Sequence, residues 1–202
     1  DVATRYLMAF GGVSVIAAIV LIAFYLLYVV IPMFKSAEIE QIVTYTVPGG
    51  SESETLYVSM EEQREVGFRI NNLGQVFFFN TVDGEIRSTV DLGLADDVSI
   101  TAVSNGDQTE RMIGLGLSDG RVMFFQHNYA VSFPDDVRLI MPSIFYPFGS
   151  EPIQVNEVGD NVTHLSVQYD SEEATIVAHG ADSTVKLLNL IKEESMLSDE
   201  IE

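Results

Sequence analysis

The run from Tyr6 to Phe34 limits what this chain can become more than any other stretch. It is 29 residues long, carries no charge, and is fenced by Arg5 and Lys35. As an α-helix rising about 1.5 Å per residue it would reach roughly 43 Å. About 20 residues suffice to cross the hydrocarbon core of a bilayer. The run can therefore span a membrane with tilt, and no other uncharged run approaches 18 residues. The expected organisation is a cytoplasmic stub (residues 1–5), one transmembrane helix (6–34), a linker (35–54) and a β domain (55–202).

The span reads as an uncleaved anchor. A secretory signal has an apolar core of about 7–15 residues and a small-residue cleavage site. This run is much longer and ends in Val-Val-Ile-Pro-Met-Phe, without an Ala-x-Ala pattern. Only Arg5 and Lys35 flank it, and a long domain translocates largely regardless of its charge. The expectation is a cytoplasmic N-terminus with the domain outside. Gly11, Ser14 and Ala18 fall at i, i+3 and i+7. They form a small-residue stripe against which another transmembrane helix can pack; the competing reading is a plain anchor with incidental small residues. Tyr25 and Tyr28 suit the far interface, and Pro32 is expected to end or kink the helix.

Charge narrows the partners of the rest. The chain carries 30 acidic and 10 basic residues, and the part after Lys35 holds 29 of the acids and 8 of the bases. Such a domain is repelled by nucleic acid and by anionic headgroups, which excludes a nucleic-acid role. The bland reading of the acidity is a solvated surface. There is no cysteine, so disulfides, thiol catalysis and cysteine-based zinc sites are excluded. The chain begins with Asp1 rather than Met, and the expectation is a fragment of a longer protein.

From Thr55 onward the pattern is strand, turn, strand. Strands are expected at 54–59, 65–70, 75–80 and 85–92, with the Asp83-Gly84 turn as the strongest hairpin signal. The pattern restarts at 99–104, 111–117 and 121–126, with turns at Asn105-Gly106-Asp107 and Ser118-Asp119-Gly120. An irregular stretch from Pro134 to Pro152 contains four prolines. Strands resume at 163–169, 174–179 and 184–190, with a turn at Asp170-Ser171 between the first two. Three segments superpose: 67–79, 114–125 and 177–188. They share Val76, Val122 and Val185, spaced 46 and 63 residues apart.

A repeat of roughly 40–45 residues with four strands is the signature of a propeller blade. The fold class is thus one N-terminal transmembrane helix followed by an all-β, antiparallel, partial β-propeller with WD40-like blades. Three units are too few to close a ring of about 4–8 blades, so further blades are expected beyond Glu202. An ordinary antiparallel sandwich is the alternative. The runs Val76–Phe79 and Met123–Phe125 are expected in the core rather than in a ligand box. Phe145, Tyr146 and Phe148 lie in a proline-flanked aromatic stretch read as a loop. It is either an exposed partner-contact patch or a plug over a blade edge.

Catalytic signals are missing. His127, His164 and His179 show no metal-ligand spacing and are expected to be structural. Asp96-Asp97, Asp135-Asp136 and Glu172-Glu173 lack the alternating calcium-loop pattern and read as solvated turns. Gly114-Leu-Gly116 lacks the Lys-Ser/Thr of a phosphate loop, and no G-x-S-x-G nucleophile motif occurs. Asn161-Val-Thr163 matches a glycosylation sequon, a triplet that arises often by chance. No cofactor, metal site or enzymatic activity is expected.

Two stretches nevertheless resemble a known family. Phe10-Gly-Gly-Val-Ser-Val-Ile-Ala-Ala-Ile-Val-Leu-Ile-Ala-Phe-Tyr-Leu-Leu-Tyr-Val-Val-Ile-Pro-Met-Phe34 resembles the first transmembrane helix of the PstC-like permease subunit of bacterial phosphate ABC importers. Leu56-Tyr-Val-Ser-Met-Glu-Glu-Gln-Arg-Glu-Val-Gly67 is similar to the start of the periplasmic β domain in the long members of that family. The resemblance implies an inner-membrane phosphate importer. Its partners would be a second permease subunit, a cytoplasmic ATPase and a periplasmic phosphate-binding protein. The family's transport core is not in this sequence, so no substrate-path residue carries over. The acidic β domain lacks a basic cluster and reads as an accessory docking or regulatory module. The alternative is a single-span, membrane-anchored β-propeller acting as an envelope scaffold or sensor.

Overall fold

A computed structural model describes residues 2–106, 109–170 and 173–191. The expected turns at Asn105-Gly106-Asp107 and Asp170-Ser171, and the acidic Glu172, therefore fall partly outside the described residues. The chain divides into two units, with the boundary between Ile42 and Val43.

The first unit holds one helix, α1 (Val2–Val30), followed by a single 3-10 turn, Ile31–Phe34. It begins four residues before the uncharged run, because Arg5 at its end does not interrupt a helix. It stops two residues before Pro32, which lacks an N–H and instead opens the 3-10 turn. The helix is apolar all round with no buried residue. It is long and apolar enough to cross a membrane.

The second unit is antiparallel β throughout. A first sheet runs in chain order through β1 (Thr55–Met60), β2 (Val66–Asn71), β3 (Gln75–Asn80) and β4 (Ile86–Asp91). A second runs through β5 (Ile100–Asn105), β6 (Met112–Leu117), β7 (Arg121–Ser132) and β8 (Leu139–Phe145), with the short β9 (Ile153–Gln154) paired to the start of β7. A third comprises β10 (Val162–Asp170), β11 (Glu173–Gly180) and β12 (Val185–Ile191). Apart from β9, consecutive strands are neighbours in every sheet, the meander of a propeller blade. Among the described residues the sheets form an open stack, not a ring. The architecture is one apolar helix followed by an antiparallel, partial β-propeller.

Side-chain alternation explains the stacking. Along β6, Ile113, Leu115 and Leu117 join Phe68, Ile70 and Phe78 of the first sheet in one core. The residues between them face the other way, where Met112, Val122 and Phe124 meet Val162, Val167 and Ile176 of the third sheet. A Cβ at Gly114 would lie 2.7 Å from the Val167 side chain, and one at Gly116 would lie 2.7 Å from Val162. Two glycines in an otherwise apolar strand therefore let the third sheet approach the second closely. Phe68, Phe78 and Phe125 are fully buried, each contributing about 2–3 kcal/mol.

Two expectations need correction. β7 does not stop at Gln126 but continues to Ser132, and β8 lies within the stretch read as irregular. Phe145 is therefore the last residue of a strand, not part of a loop. Pro142 is tolerated because β8 is the edge strand, where a missing N–H breaks no ladder. Residues 43–53, read as linker, also belong to the β unit. Tyr45 packs edge-on against Phe79 with ring centroids 6.3 Å apart. Gly49 sits so close over the Phe77 ring that a Cβ would lie 2.5 Å from it.

Candidate functional site

A cleft of about 560 Å³ opens between β1 and its following turn on one side and β5, β6 and β7 on the other. Its wall is built from the turn at 61–65. There the Glu61 carboxylate accepts backbone N–H groups from Gln63 (2.6 Å) and Glu65 (2.7 Å). That carboxylate is thus consumed in shaping the turn. Glu62 projects from the same turn, and one of its oxygens lies 2.9 Å from the Arg111 guanidinium. Arg111 adopts φ +49° just before β6. Its guanidinium also lies 5.5 Å from the centre of the Tyr129 ring, a cation–π contact.

Behind Arg111 sits His127, 4% exposed. Its ring stacks on Phe68 at 4.5 Å, and Nδ1 shares a 3.1 Å hydrogen bond with the Tyr129 hydroxyl. Burial, and secondarily the Arg111 charge, pushes the imidazole down to about 4. Burial raises the Tyr129 phenol, with Arg111 acting in opposition. Both groups are neutral around pH 7. A general base works best with a pKa near the operating pH, so His127 is poorly tuned for that task. The Asn105 amide donates to Tyr57 Oη across the sheets (3.0 Å). Most of the polar groups named here have protein partners, and the arrangement holds two sheets together around a recess.

A different cluster lies beneath the lead-in. Arg69 is 1% exposed. It donates to Thr55 Oγ1 (2.8 Å), the Pro48 carbonyl (2.7 Å), and the carbonyl and hydroxyl of Ser53 (3.0 and 3.2 Å). It also lies 5.4 Å from the centre of the Phe77 ring. Among the described residues no carboxylate pairs with it, and burial lowers its pKa. The guanidinium instead collects carbonyl oxygens and ties residues 48–53 to the first sheet.

The residues singled out from sequence are not brought together. Gly11, Ser14 and Ala18 are exposed on α1. The Ser14 hydroxyl donates to the Phe10 carbonyl (2.7 Å) within the helix. Phe145 is half exposed at the end of β8. Tyr146 turns inward onto Phe125, with centroids 6.3 Å apart, and burial raises its pKa. Phe148 packs on Phe124 (6.4 Å) and Tyr169 (5.8 Å). Tyr146 thus seals one core and Phe148 the other. His164 and His179 face each other across β10 and β11, with Thr163 Oγ1 between them at 3.2 and 2.6 Å. Among the described residues no group of three His, Asp or Glu side chains is placed to hold a metal ion.

Arg69, Glu62, Arg111 and Tyr129 escaped the sequence reading. The available signal was scarcity: with only 8 basic residues after Lys35, an arginine inside the apolar strand Val66-Gly-Phe-Arg-Ile-Asn71 demands a buried partner.

No protein-family model matches the chain, and no match was found among curated proteins. Among solved structures it is similar to the Cps50 (Swd1) β-propeller domain of Myceliophteria thermophila. The identity is 10% and the TM-score 0.41, over 69% of this chain and 37% of that one. The fold assignment above rests on strand order and register.

Proposed function

We propose that this chain is the N-terminal part of a PstC-like permease, the membrane component of an ATP-driven phosphate importer. In this reading α1 is the peripheral first helix of the permease in the bacterial inner membrane. The stripe of Gly11, Ser14 and Ala18 packs against neighbouring transmembrane helices. The β unit lies in the periplasm as a docking or regulatory module. The substrate comes from the resemblance of residues 10–34 and 56–67. The accessory role is carried by one observation: Arg69 is buried and engaged by carbonyls, and Arg111 is paired with Glu62 at the rim of the cleft. Among the described residues neither the cleft nor a second one along the lead-in gathers a cluster of cations for phosphate, and the chain is strongly acidic.

The test is made on the complete gene. Its reading frame is expected to continue past Glu202 into several further apolar spans; a stop codon soon after Glu202 overturns the transporter reading in favour of an anchored scaffold. Deleting residues 43–191 in the intact importer is expected to weaken contact with the binding protein or alter the control of phosphate uptake. Unchanged uptake, control and partner binding sink the docking role.

A further inference from the structure

The loop that leads into β10 and the turn between β11 and β12 meet over Gly180, and what they place there is polar. Gly180 is buried. A Cβ on it would lie 2.5 Å from Asp160 Oδ2, 2.7 Å from Asp182 Oδ1 and 2.9 Å from Asn156 Nδ2. Two carboxylates and an amide thus converge on one small space, which only a residue without a side chain leaves open.

Much of their hydrogen-bonding capacity shapes the two loops. Asp160 Oδ1 accepts the Asp182 N–H (3.2 Å). Asp182 Oδ1 accepts the N–H and the hydroxyl of Thr184 (2.8 and 2.7 Å). These bonds from Thr184, with smaller help from the charges of Lys186 and His179, lower the Asp182 carboxyl below its ordinary value. Lys186 itself donates to the Val155 carbonyl (3.3 Å). The Asn156 amide donates to the Asp160 carbonyl (3.3 Å). Two acceptors are left over. Among the described residues Asn156 Oδ1 and Asp160 Oδ2 are buried, and no protein group donates to either. Asn156 is only 4% exposed. Buried acceptors without a donor are destabilising, and two carboxylates around one point repel each other. A water molecule answers the first problem and leaves the second. A hard cation answers both.

We propose that Asn156, Asp160 and Asp182 form a calcium site that ties the loop before β10 to the β11–β12 turn. Its protein ligands are oxygens, two from carboxylates and one from an amide, which suits calcium over a transition metal. A half-turn of the Asn156 amide exchanges its two ends, so Oδ1 reaches the place that Nδ2 marks. The floor is buried at Asn156 and the mouth is open at the exposed Asp182, which gives the ion an entry path. With two carboxylates and an open mouth, the affinity belongs at the weak end for calcium, about 0.1–1 mM. Asp160 and Asp182 stand 22 residues apart on separate loops, so no continuous calcium-loop pattern discloses them. The site does not depend on phosphate being the substrate, since an importer and an envelope scaffold would carry it alike.

The test uses the 202-residue chain, purified in detergent and stripped of metal with a chelator. Calcium is added in about 0.15 M salt, which screens diffuse binding to the acidic surface. Equilibrium dialysis with radioactive calcium is expected to find one saturable site. At about 5 mM calcium the Tm is expected to rise by about 4 °C, and magnesium at the same concentration is not expected to match it. Asp160→Asn keeps the side-chain shape and is expected to lose both the saturable site and the Tm rise. Asp96→Asn, on an exposed turn, keeps both. Asn156→Asp adds a third carboxylate and is expected to tighten calcium about tenfold, while lowering the Tm in chelator. This gain keeps the proposal open to refutation if Asp160→Asn does not fold: unchanged affinity in Asn156→Asp overturns it. A Tm that ignores calcium also overturns it, because water is then the partner of both oxygens. So does an equal response to magnesium, or a response that Asp160→Asn retains, since the ion is then screening the acidic surface at large. Phosphate uptake is not read in any of these measurements, so failure here leaves the transporter reading to its own test.

Discussion

The stack of sheets has two end faces, and they are finished differently. On the first sheet Phe77 and Phe79 point away from the shared core, yet they are only 6% and 5% exposed. The chain's own lead-in covers them, through Tyr45 on Phe79 and Gly49 on Phe77. On the third sheet Val185 and Leu187 stand bare. Both faces mix apolar with polar side chains, Phe77 and Phe79 with Arg69 on the first and Val185, Leu187 and Ile191 with Thr175 and Asn189 on the third, so composition does not separate them. What separates them is a neighbouring segment able to lie flat. The lead-in does so because glycine permits close approach at Gly49, whose φ is +85°. Its carbonyls are satisfied by a buried guanidinium. An extended, ladderless segment has no regular partner for its carbonyls, and Arg69 supplies partners for two of them, Pro48 and Ser53.

The largest expected effect breaks the covered face. Arg69→Met keeps much of the side-chain volume but removes every donor. The Pro48 and Ser53 carbonyls and the Thr55 hydroxyl then lose their partner. Thr55 is exposed and its hydroxyl can turn to water, so the cost falls on the two carbonyls. At about 1–3 kcal/mol for each acceptor left buried and unpaired, it is about 4 kcal/mol. Urea unfolding in detergent, followed by tyrosine fluorescence, measures it. A Glu-specific protease adds a local readout, because cutting after Glu52 is expected to accelerate as the lead-in comes loose. Unchanged stability and unchanged cleavage would show that the ring contacts of Tyr45 and Gly49 hold the cover alone.

A somewhat smaller effect concerns the interface between the first two sheets, where no end face is involved. His127 titrates near 6.5 when unfolded and is pushed down to about 4 in the fold. Protons therefore bind the unfolded chain first. Stability from this group is complete above pH 6.5, falls as pH drops through the window from 6.5 to 4, and levels off below it. The full span is about 3 kcal/mol. His127→Phe retains an aromatic ring against Phe68 and removes the titration. The stability difference between the two proteins is expected to vary with pH across that window alone, whereas a pH-independent difference refutes the assignment. Arg111, Glu61, Glu62 and the Tyr57 and Tyr129 phenols surround the ring or its cleft and are common to both proteins, so the comparison cancels most of their contribution.

How far the sequence disclosed this depended on whether the determinants were local. The third strand, Gln75–Asn80, is set by its own apolar run and by Gly74, and its limits are readable to the residue. The shared valines correctly align the third strands of the three sheets. They do not tell that Val185 is bare while Val76 is buried, because that depends on what stacks next. β8 was hidden by Pro142, whose edge position is a property of the sheet, not of the segment. The cleft was hidden for the same reason: Glu62, Asn105, Arg111 and His127 come from separate strands and turns. The lead-in has no periodicity at all, and its packing is legible only once Phe77 and Phe79 are known to need cover.

The smallest expected effect sharpens the comparison from the bare side. Leu187→Thr exchanges an apolar side chain for a polar, β-branched one of good strand propensity. In the 202-residue chain Leu187 is 71% exposed, so little apolar area leaves the protein interior. Surface substitutions of this kind fall within about 0.5 kcal/mol of zero. Urea midpoints of the two proteins are expected to coincide to that margin, while the variant's solubility rises because one bare row has been interrupted. A loss of about 2 kcal/mol or more, the size expected for a buried leucine, would mean that this face is already covered. The two ends of the stack would then be alike, and Arg69 with its lead-in would be one of two caps instead of the cap of a stack with one open end.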